Sequence, residues 1–286
     1  MVLFGLGISP KAGPGFDPVG TARRAEELGF DFVSIPDHPE GTEPTWEAWT
    51  VLCWIAARTS KIRIGTRVLG VPYRPPAMVA KMAETLDRLS GGRLILGLGG
   101  GYSDEEFRAF GLRVPSARDK VDGLGEAIRI IRGLWTSPEF SFDGRLFQTD
   151  AANLSPKPEH RIPIWLGTFG PRALDLTGRL ADGWIPSHGH APPEIIPGLR
   201  NRIVTAALDA GRDPDEITCA YHIQLDLNGS GEPGVLTGET AEIADQLVRF
   251  TKLGFTALSL VPVGSDRETQ LERISAEIIP AVRSQT

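Results

Sequence analysis

Cysteine and long apolar runs are scarce in this sequence of 286 residues, and an excess of positive charge is absent. The two cysteines, Cys53 and Cys219, lie far apart among apolar neighbours, which excludes a disulfide framework and indicates buried thiols in a reducing compartment. No apolar run approaches the roughly 18 residues that a membrane span requires. The formal net charge of −6 argues against a nucleic-acid binder, which normally carries a basic face.

Histidine is also sparse, and its pattern does not suit a metal centre. His188 and His190 have metal-like spacing, but a zinc site needs a third ligand and no carboxylate cluster accompanies the pair. We therefore expect no metal, and we interpret His188 as part of a substrate-facing loop. The segment MVLFGLGISPK has a short apolar run with no basic residue before it, which indicates a first strand and not a signal peptide. The expected location is the cytoplasm.

What the sequence does contain is a repeat of about 30 residues, in which a short apolar run precedes a turn and an amphipathic stretch. The predicted strands cover residues 2–8, 32–35, 62–66, 93–98, 164–166, 183–185, 217–227 and 257–261. The helices predicted after them cover residues 18–28, 46–58, 76–89, 120–135, 171–180, 194–210, 241–253 and 267–282. Apolar strands alternating with helices indicate parallel pairing. Eight such units predict a closed (β/α)8 TIM barrel, with an open doubly wound sheet as the alternative.

The alternation is interrupted after the fourth strand. Residues 99–115 are glycine-rich with a short acidic stretch, and residues 140–147 predict a hairpin with Asp143 and Gly144 at its turn. Further along, Thr240 is the expected N-cap of the seventh helix. We expect one domain over the whole chain, with an insertion after strand four at about residues 99–160.

Polar residues follow the second strand, at the rim where barrels and open α/β sheets alike bind ligands. Asp37 and His38 come directly after this strand. Histidine titrates near neutral pH, so His38 can exchange a proton beside a redox centre, and the neighbouring carboxylate can orient it. The alternative is a helix-capping aspartate beside a hydrogen-bonded surface histidine. Trp46 is expected to wall the same pocket, whereas Trp54 is expected in the core.

Glycines follow the fourth strand, at Gly99, Gly100 and Gly101. The segment begins like a dinucleotide-binding fingerprint, but Tyr102 occupies the third glycine position and a loop follows. Two interpretations stay open: a flexible loop, or a backbone that must approach a flat ring closely. Tyr102 and, from strand six, Trp184 are expected to line the substrate pocket.

The segment GTFGPR follows the fifth strand, and its proline suits the first turn of a helix. Free backbone amides at that helix start, together with a threonine hydroxyl and an arginine, predict a phosphate site. The alternative is an ordinary turn before a capped helix. The candidate residues are Gly167, Thr168, Phe169, Gly170 and Arg172.

Four stretches spread from the first to the sixth unit carry a family resemblance. They read AEELGFDFVSIPDH, IRIGTRVLGVPYRPPAMVAKMAETLDRLSGGRLILGLGGGY, PIWLGTFGPRAL and LADGWIP. The chain resembles the bacterial luciferase-like flavin oxidoreductases and, within them, the branch that uses the deazaflavin coenzyme F420. The long central stretch is the most specific of the four.

The resemblance implies a barrel with an insertion after strand four and a cofactor ring in the barrel mouth. It implies a non-prolyl cis peptide at Arg67–Val68, just after Thr66, pressed against the ring. The Asp37-His38 pair resembles the pair that handles a substrate proton in deazaflavin sugar-phosphate dehydrogenases. Those enzymes carry a glutamate where this chain has Tyr102, which puts glucose-6-phosphate oxidation in doubt.

Three classes of function compete. The leading hypothesis is an F420-dependent oxidoreductase that moves hydride between the coenzyme and a small organic substrate, with His38 exchanging the proton. The second keeps the fold but uses reduced FMN and oxygen as a monooxygenase. The third is a metal-dependent hydrolase or a non-catalytic ligand-binding barrel. Family likeness also implies a homodimer that pairs through the second and third helices.

Overall fold

The computed structural model describes residues 1–39, 43–227, 229 and 231–286. The twelve strands within these residues are β1 (Leu3–Gly7), β2 (Phe32–Ile35), β3 (Arg63–Thr66), β4 (Leu69–Gly70), β5 (Leu94–Gly99), β6 (Phe140–Asp143), β7 (Gln148–Ala152), β8 (Ile164–Leu166), β9 (Gly183–Trp184), β10 (Thr218–Asp226), β11 (Val235–Thr237) and β12 (Ala257–Pro262). The ten α-helices of the same residues are α1 (Pro18–Glu27), α2 (Ala48–Arg58), α3 (Pro76–Ser90), α4 (Asp104–Ala109), α5 (Ala117–Thr136), α6 (Pro171–Leu180), α7 (Ile196–Asp209), α8 (Thr240–Lys252), α9 (Arg267–Arg273) and α10 (Ile279–Arg283).

Eight parallel strands of the described chain close into a barrel, in the order β1, β2, β3, β5, β8, β9, β10 and β12. Gly183 of β9 pairs with Trp165 on one side and Thr218 on the other, and β12 pairs with β1. The predicted TIM barrel is therefore confirmed and the open sheet is wrong. Closure brings the carboxyl ends of all eight strands to one rim.

The barrel interior is filled below that rim. Phe32 and Trp165 meet edge to face with ring centroids 5.6 Å apart, and Ile95 and Ile185 pack in the same cluster. Gly5 makes room for them, since a Cβ there would lie 2.2 Å from the Phe32 ring. A second, larger apolar layer lies between the strands and the surrounding helices. Because side chains fill the barrel centre, a ligand is expected at the rim and not inside the barrel.

Between β5 and β8 the chain builds more than the sequence predicted. The acidic stretch is the helix α4, capped by Ser103, with Asp104 and Glu105 in its first turn where the helix dipole favours them. The strands β6 and β7 form the predicted hairpin, but it extends to Ala152. These pieces and α5 lie where the insertion was expected.

Three smaller expectations are wrong. The N-cap of α8 is Glu239 and not Thr240, because Glu239 and Glu242 form a reciprocal capping box. Cys53 is exposed, whereas Cys219 is buried as expected. Trp54 is 63% exposed because α2 buries the stripe that contains Leu52 and Ile55, and residues between them face outward.

No helix among the described residues is long and apolar enough to cross a membrane.

Candidate active site

A cavity of about 560 Å³ opens at the carboxyl ends of the barrel strands. This volume is within the range of small-molecule and cofactor sites. The predicted residues that line it are Asp37, His38, Arg67, Val68, Gly99, Gly100, Gly101, Tyr102, Gly167 and Phe169. Segments at the ends of four different strands, β2, β3, β5 and β8, therefore share one mouth.

Val68 lies in the cavity between two glycines. The Arg67–Val68 peptide is cis, as the resemblance implied. A Cβ on Gly99 would lie 2.6 Å from a Val68 methyl, and one on Gly167 would lie 3.1 Å from it. Gly97 matters in the same way, because a Cβ there would meet the Thr66 carbonyl oxygen at 2.0 Å. The glycines thus let Val68 and its backbone form a smooth floor.

The other two predicted glycines serve the loop itself. Gly101 has a φ of +93°, and a Cβ there would lie 2.4 Å from the buried Phe107 ring. A Cβ on Gly100 would lie 2.9 Å from the Lys120 carbonyl oxygen. The glycine loop therefore packs closely on α4 and α5 beneath it, which the interpretation as a flexible loop does not explain.

Asp37 is held by its own set of donors. Its carboxylate accepts from Arg74 Nη1 at 2.8 Å, Arg74 Nη2 at 3.1 Å and the Gly70 amide at 3.0 Å. Burial lowers the pKa of Arg74, but Asp37 and then Glu47 outweigh burial and raise it. The prediction that Asp37 orients His38 is wrong, because this carboxylate is committed to Arg74. It fixes the loop after β2 instead.

The carboxylate that contacts His38 belongs to Glu106, and not to Asp37 as predicted. His38 Nδ1 lies 2.9 Å from Glu106 Oε1, and the Tyr73 hydroxyl donates to Glu106 Oε2. The Glu106 side chain is 8% exposed and the His38 side chain 43%. Burial and the hydrogen bond to Glu106 both raise the pKa of Tyr73, which therefore stays protonated. The His38 side chain lines the cavity. Its second ring nitrogen, Nε2, takes no part in the contact with Glu106.

Arg67 and His222 form a second polar pair in the cavity. Arg67 Nη1 lies 2.8 Å from His222 Nε2. Burial lowers the pKa of Arg67 to about 10, so it is charged at neutral pH. Burial and the neighbouring Arg67 hold the pKa of His222 well below its usual value, so Nε2 accepts the hydrogen bond. Arg67 Nε is buried and has no hydrogen-bond partner among the described residues.

The predicted phosphate loop divides into parts with different surroundings. Gly167 and Phe169 line the cavity. Thr168 is buried, and its hydroxyl lies 2.7 Å from the Thr177 hydroxyl of α6, so its expected role toward a phosphate is wrong. Gly170 is the N-cap residue of α6 and has no side chain to offer the first amides. Arg172 is exposed and pairs with Asp122 at the edge of α5.

The outer rim of the cavity is aromatic. Tyr102 is 74% exposed, and its ring lies 6.0 Å from His38 and 6.2 Å from His190. Phe169 lies 5.8 Å from His190 on the other side. These four rings form a continuous arc over the mouth, with edge-to-face or tilted contacts.

Besides Thr168, Gly170 and Arg172, four predicted residues are outside the cavity lining. Trp184 is fully buried against Phe255, so its expected role in the substrate pocket is wrong. Thr66 is buried and donates to the Gly97 carbonyl oxygen. Trp46 is half-exposed. His188 Nδ1 faces the Gly234 carbonyl oxygen at 3.1 Å. In the described part of the chain, no three histidine, cysteine or acidic side chains are grouped as a metal site would require.

Four residues that build the site were not predicted from the sequence: Tyr73, Arg74, Glu106 and His222. Arg74 follows the short strand β4, and His222 lies within β10, where no turn marked it. Glu106 stands three residues after Ser103, a pattern that indicates a helix cap. A signal was present for Tyr73 and Arg74, because both belong to the central stretch that carried the resemblance.

The cavity suits a flat cofactor ring. Its floor is backbone and Val68, and any Cβ at Gly99 or Gly167 would crowd that floor. Arg67 Nε is a buried donor without a partner, and such a group gains from a ligand acceptor. The residues present therefore fit a ring that lies on Val68 and faces His38.

A closed barrel with a ring-sized mouth and a histidine–carboxylate pair defines a cofactor-dependent barrel enzyme. The sequence profile of the luciferase-like monooxygenase family matches residues 7–232, and the chain belongs to this family.

Relatives support a narrower grouping. An F420-dependent glucose-6-phosphate dehydrogenase of Amycolatopsis mediterranei is 36% identical over 225 residues, covering 76% of this chain and 66% of the relative. One from Nakamurella multipartita is 31% identical over 268 residues, covering 89% and 73%. The fold matches an F420-dependent secondary alcohol dehydrogenase in complex with an F420-acetone adduct, with a TM-score of 0.89, 23% identity and 99% of both chains covered.

Proposed function

We propose that this chain is a coenzyme F420-dependent oxidoreductase that moves hydride between the coenzyme and a small organic substrate. Two relatives that are 36% and 31% identical to this chain are F420-dependent glucose-6-phosphate dehydrogenases. The observation that carries the proposal is the placement of His38. Its Nδ1 is engaged by Glu106, while the ring lines the cavity beside the Val68 floor. A proton acceptor and a ring platform then share one mouth.

Each residue has a defined task in this proposal. Val68, Gly99 and Gly167 support the ring, and the amides at the start of α6 hold the phosphate of the coenzyme tail, with Arg172 beside them. His38 takes a proton from a substrate hydroxyl, or returns one to a carbonyl. When bound, F420 supplies the two-electron hydride chemistry.

The family profile itself favours a second candidate, an FMN-dependent monooxygenase. Both coenzymes present a tricyclic ring, so the cavity shape alone does not separate them. The histidine–carboxylate pair favours F420, because hydride exchange with an alcohol requires a proton acceptor and oxygen activation by FMN does not require this one.

Titration of the purified protein with each coenzyme tests the proposal. We expect saturable binding of F420, followed by fluorescence, and reduction of bound F420 by 2-propanol or glucose-6-phosphate. Binding of FMN with no binding of F420 would contradict the proposal and favour the monooxygenase. The relatives suggest both substrates, and the absence of a glutamate at position 102 favours the alcohol.

A homodimer through α2 and α3 is part of the proposal. Trp54 of α2 and Met78 and Leu89 of α3 are exposed apolar side chains, and a partner subunit would cover them. Sedimentation should give a dimer, and Trp54→Glu should shift it toward monomer. A monomeric wild-type protein would contradict this part. The single domain, the cytoplasmic location and the lack of a nucleic-acid partner stay predictions from composition.

A further inference from the structure

We propose that Glu106 is the positioning residue for His38. Its carboxylate accepts a hydrogen bond from Nδ1–H, which fixes the tautomer and leaves Nε2 to exchange the substrate proton. This inference rests on the proposed function for its chemistry. Its geometry stands alone, because the contact lies within the chain. No relative's name and no family resemblance assigned a role to this residue.

The Glu106 carboxylate is held from two sides. Oε1 lies 2.9 Å from His38 Nδ1, and Oε2 accepts from the Tyr73 hydroxyl. With a side chain only 8% exposed, Glu106 is shielded from water, whereas His38 is open to the cavity at 43%. A carboxylate buried behind a histidine ring interacts more strongly with the imidazolium than an exposed one would.

The packing of the neighbouring residue, Phe107, sets the position of Glu106. Phe107 is fully buried beneath the glycine loop, where Gly101 leaves room for its ring, and it packs on Tyr73 at 5.0 Å. Lys120 ties the first turn of α4 to α5 through Asp104 at 2.8 Å. The helix is therefore anchored on both sides, and Glu106 is carried to His38 by a rigid element.

A helix cap does not explain this glutamate. Ser103 caps α4 by accepting from the Glu106 amide at 3.3 Å. In a capping box the glutamate side chain turns back to the N-cap amide, but here both carboxylate oxygens are engaged elsewhere, with His38 and Tyr73. The adjacent Glu105 is exposed and has the same charge, so it provides a matched control.

Asp37 cannot replace Glu106. Its carboxylate is bound to Arg74 and to the Gly70 amide. Among the described residues, titratable and charged groups near His38 come from the loop after β2, the segment after β4, the glycine loop, α4 and the loop after β9, and Arg67 and His222 line the same cavity. The groups on those five segments are Asp37, Tyr73, Arg74, Tyr102, Glu106 and His190.

The proton balance of the reaction shows what Glu106 contributes. When an alcohol is oxidised, the carbon-bound hydrogen leaves with two electrons for the coenzyme and the hydroxyl proton moves to His38 Nε2, so a carbonyl forms. The His38 side chain becomes an imidazolium as the C–O double bond of the product develops. An anionic carboxylate at Nδ1 stabilises that charge and keeps the starting proton on Nδ1, as the aspartate of a serine-protease triad does for its histidine.

The first test uses the protein without coenzyme or substrate. Histidine-selective ¹⁵N labelling reports which ring nitrogen of His38 carries the proton, with His38→Gln assigning the signal. At a pH about two units above the ordinary histidine value, we expect the proton on Nδ1 in the wild type and in Glu105→Gln. Glu106→Ala should give a mixture of tautomers. Unchanged His38 signals in Glu106→Ala would overturn the proposal.

The second test uses the reaction with 2-propanol or glucose-6-phosphate. Glu106→Gln should lower kcat roughly 10²-fold with KM and F420 affinity nearly unchanged, and it should move the acid limb of the kcat/KM profile to lower pH, because the anion that favours the imidazolium is gone. Glu105→Gln should match the wild type. A lower kcat with an unmoved acid limb would reduce Glu106 to a structural role. If the wild type oxidises neither compound, the proposed function fails, and the tautomer test still decides on Glu106.

Discussion

Two walls of the cavity differ in how completely their polar groups are paired. On the wall formed by Asp37, His38, Tyr73, Arg74 and Glu106, both carboxylates have protein donors at hydrogen-bond distance. On a second wall, which contains Arg67 and His222, Arg67 donates to His222 but keeps a buried Nε without a partner among the described residues. The first wall is arranged before any ligand arrives. The second has hydrogen-bonding capacity to spare.

This difference separates proton chemistry from binding. Because both carboxylates on the first wall are already paired, His38 meets the substrate with Nδ1 engaged and its ring held in one orientation. A buried donor without a partner costs about 1–3 kcal/mol, and an acceptor on a ligand recovers that cost. We therefore expect substitutions on the first wall to change turnover and those on the second to change affinity.

The largest expected effect is at His38. His38→Ala should lower turnover by roughly 10²–10⁴-fold while F420 affinity stays within a few-fold, as expected for a general acid or base. Steady-state kinetics and a fluorescence titration measure the two quantities. His160, a half-exposed histidine beside Asp87, is the control, and His160→Ala should match the wild type. Unchanged turnover in His38→Ala would remove this residue from the chemistry.

The floor between the two walls is the next target. Gly99→Ala would place a Cβ 2.6 Å from Val68, and overpacking of this kind costs about 1–3 kcal/mol. F420 affinity should fall by about 10- to 100-fold, since each factor of ten corresponds to about 1.4 kcal/mol. Gly198→Ala, where an added Cβ meets nothing within 4 Å, should leave affinity unchanged. Equal affinity in both variants would show that Val68 does not support the ring.

Arg67 tests the second wall directly. Arg67→Met keeps much of the side-chain volume but removes the buried donor, so F420 affinity should fall by about tenfold while kcat at saturating coenzyme changes little. Arg118→Met, on the exposed face of α5, is the control. A large loss of kcat with normal affinity would reverse the assignment of the two walls.

The smallest expected effect is a pH dependence of stability. His222 has a pKa lowered by burial and by Arg67, so below the ordinary histidine pKa of about 6.5 this residue binds more protons in the unfolded chain than in the folded one. The stabilisation from neutral His222 is therefore full above that pH and is lost as the pH falls. Thermal unfolding should show a steeper loss of Tm on acidification in the wild type than in His222→Asn. Parallel pH slopes would contradict this account.

Much of the fold was predictable from local pattern. The bounds of β2, β8 and α6 match the prediction residue for residue, because each has a short, mostly apolar run or a proline at its start. Short elements such as β4, β11 and α4 were missed. The strands β4 and β11 contain only two and three residues. The helix α4 has six residues, and its stability depends on Phe107, which packs under Gly101.

The candidate site was predictable only as a set of loops. The sequence indicated His38 and the glycines because they follow strands, and the family resemblance indicated Val68. The structure brings His38, Val68, Gly99, Gly100, Gly101 and Gly167 to one cavity. The sequence did not indicate which carboxylate reaches His38. Asp37 is adjacent in sequence, yet Arg74 binds it, and Glu106 is 68 positions away from His38. Partners of this kind are set by tertiary contacts that no local pattern records.

In the proposed complex, a deazaflavin ring lies on Val68, and His38 Nε2 lies beside the substrate carbon that exchanges hydride. A crystal structure of the protein with F420 bound tests it most directly. We predict the ring between Gly99 and Gly167, a hydrogen bond from Arg67 Nε to the coenzyme, and an intact His38–Glu106 contact. A ring bound outside this mouth, or His38 turned away from it with Glu106 released, would contradict the account.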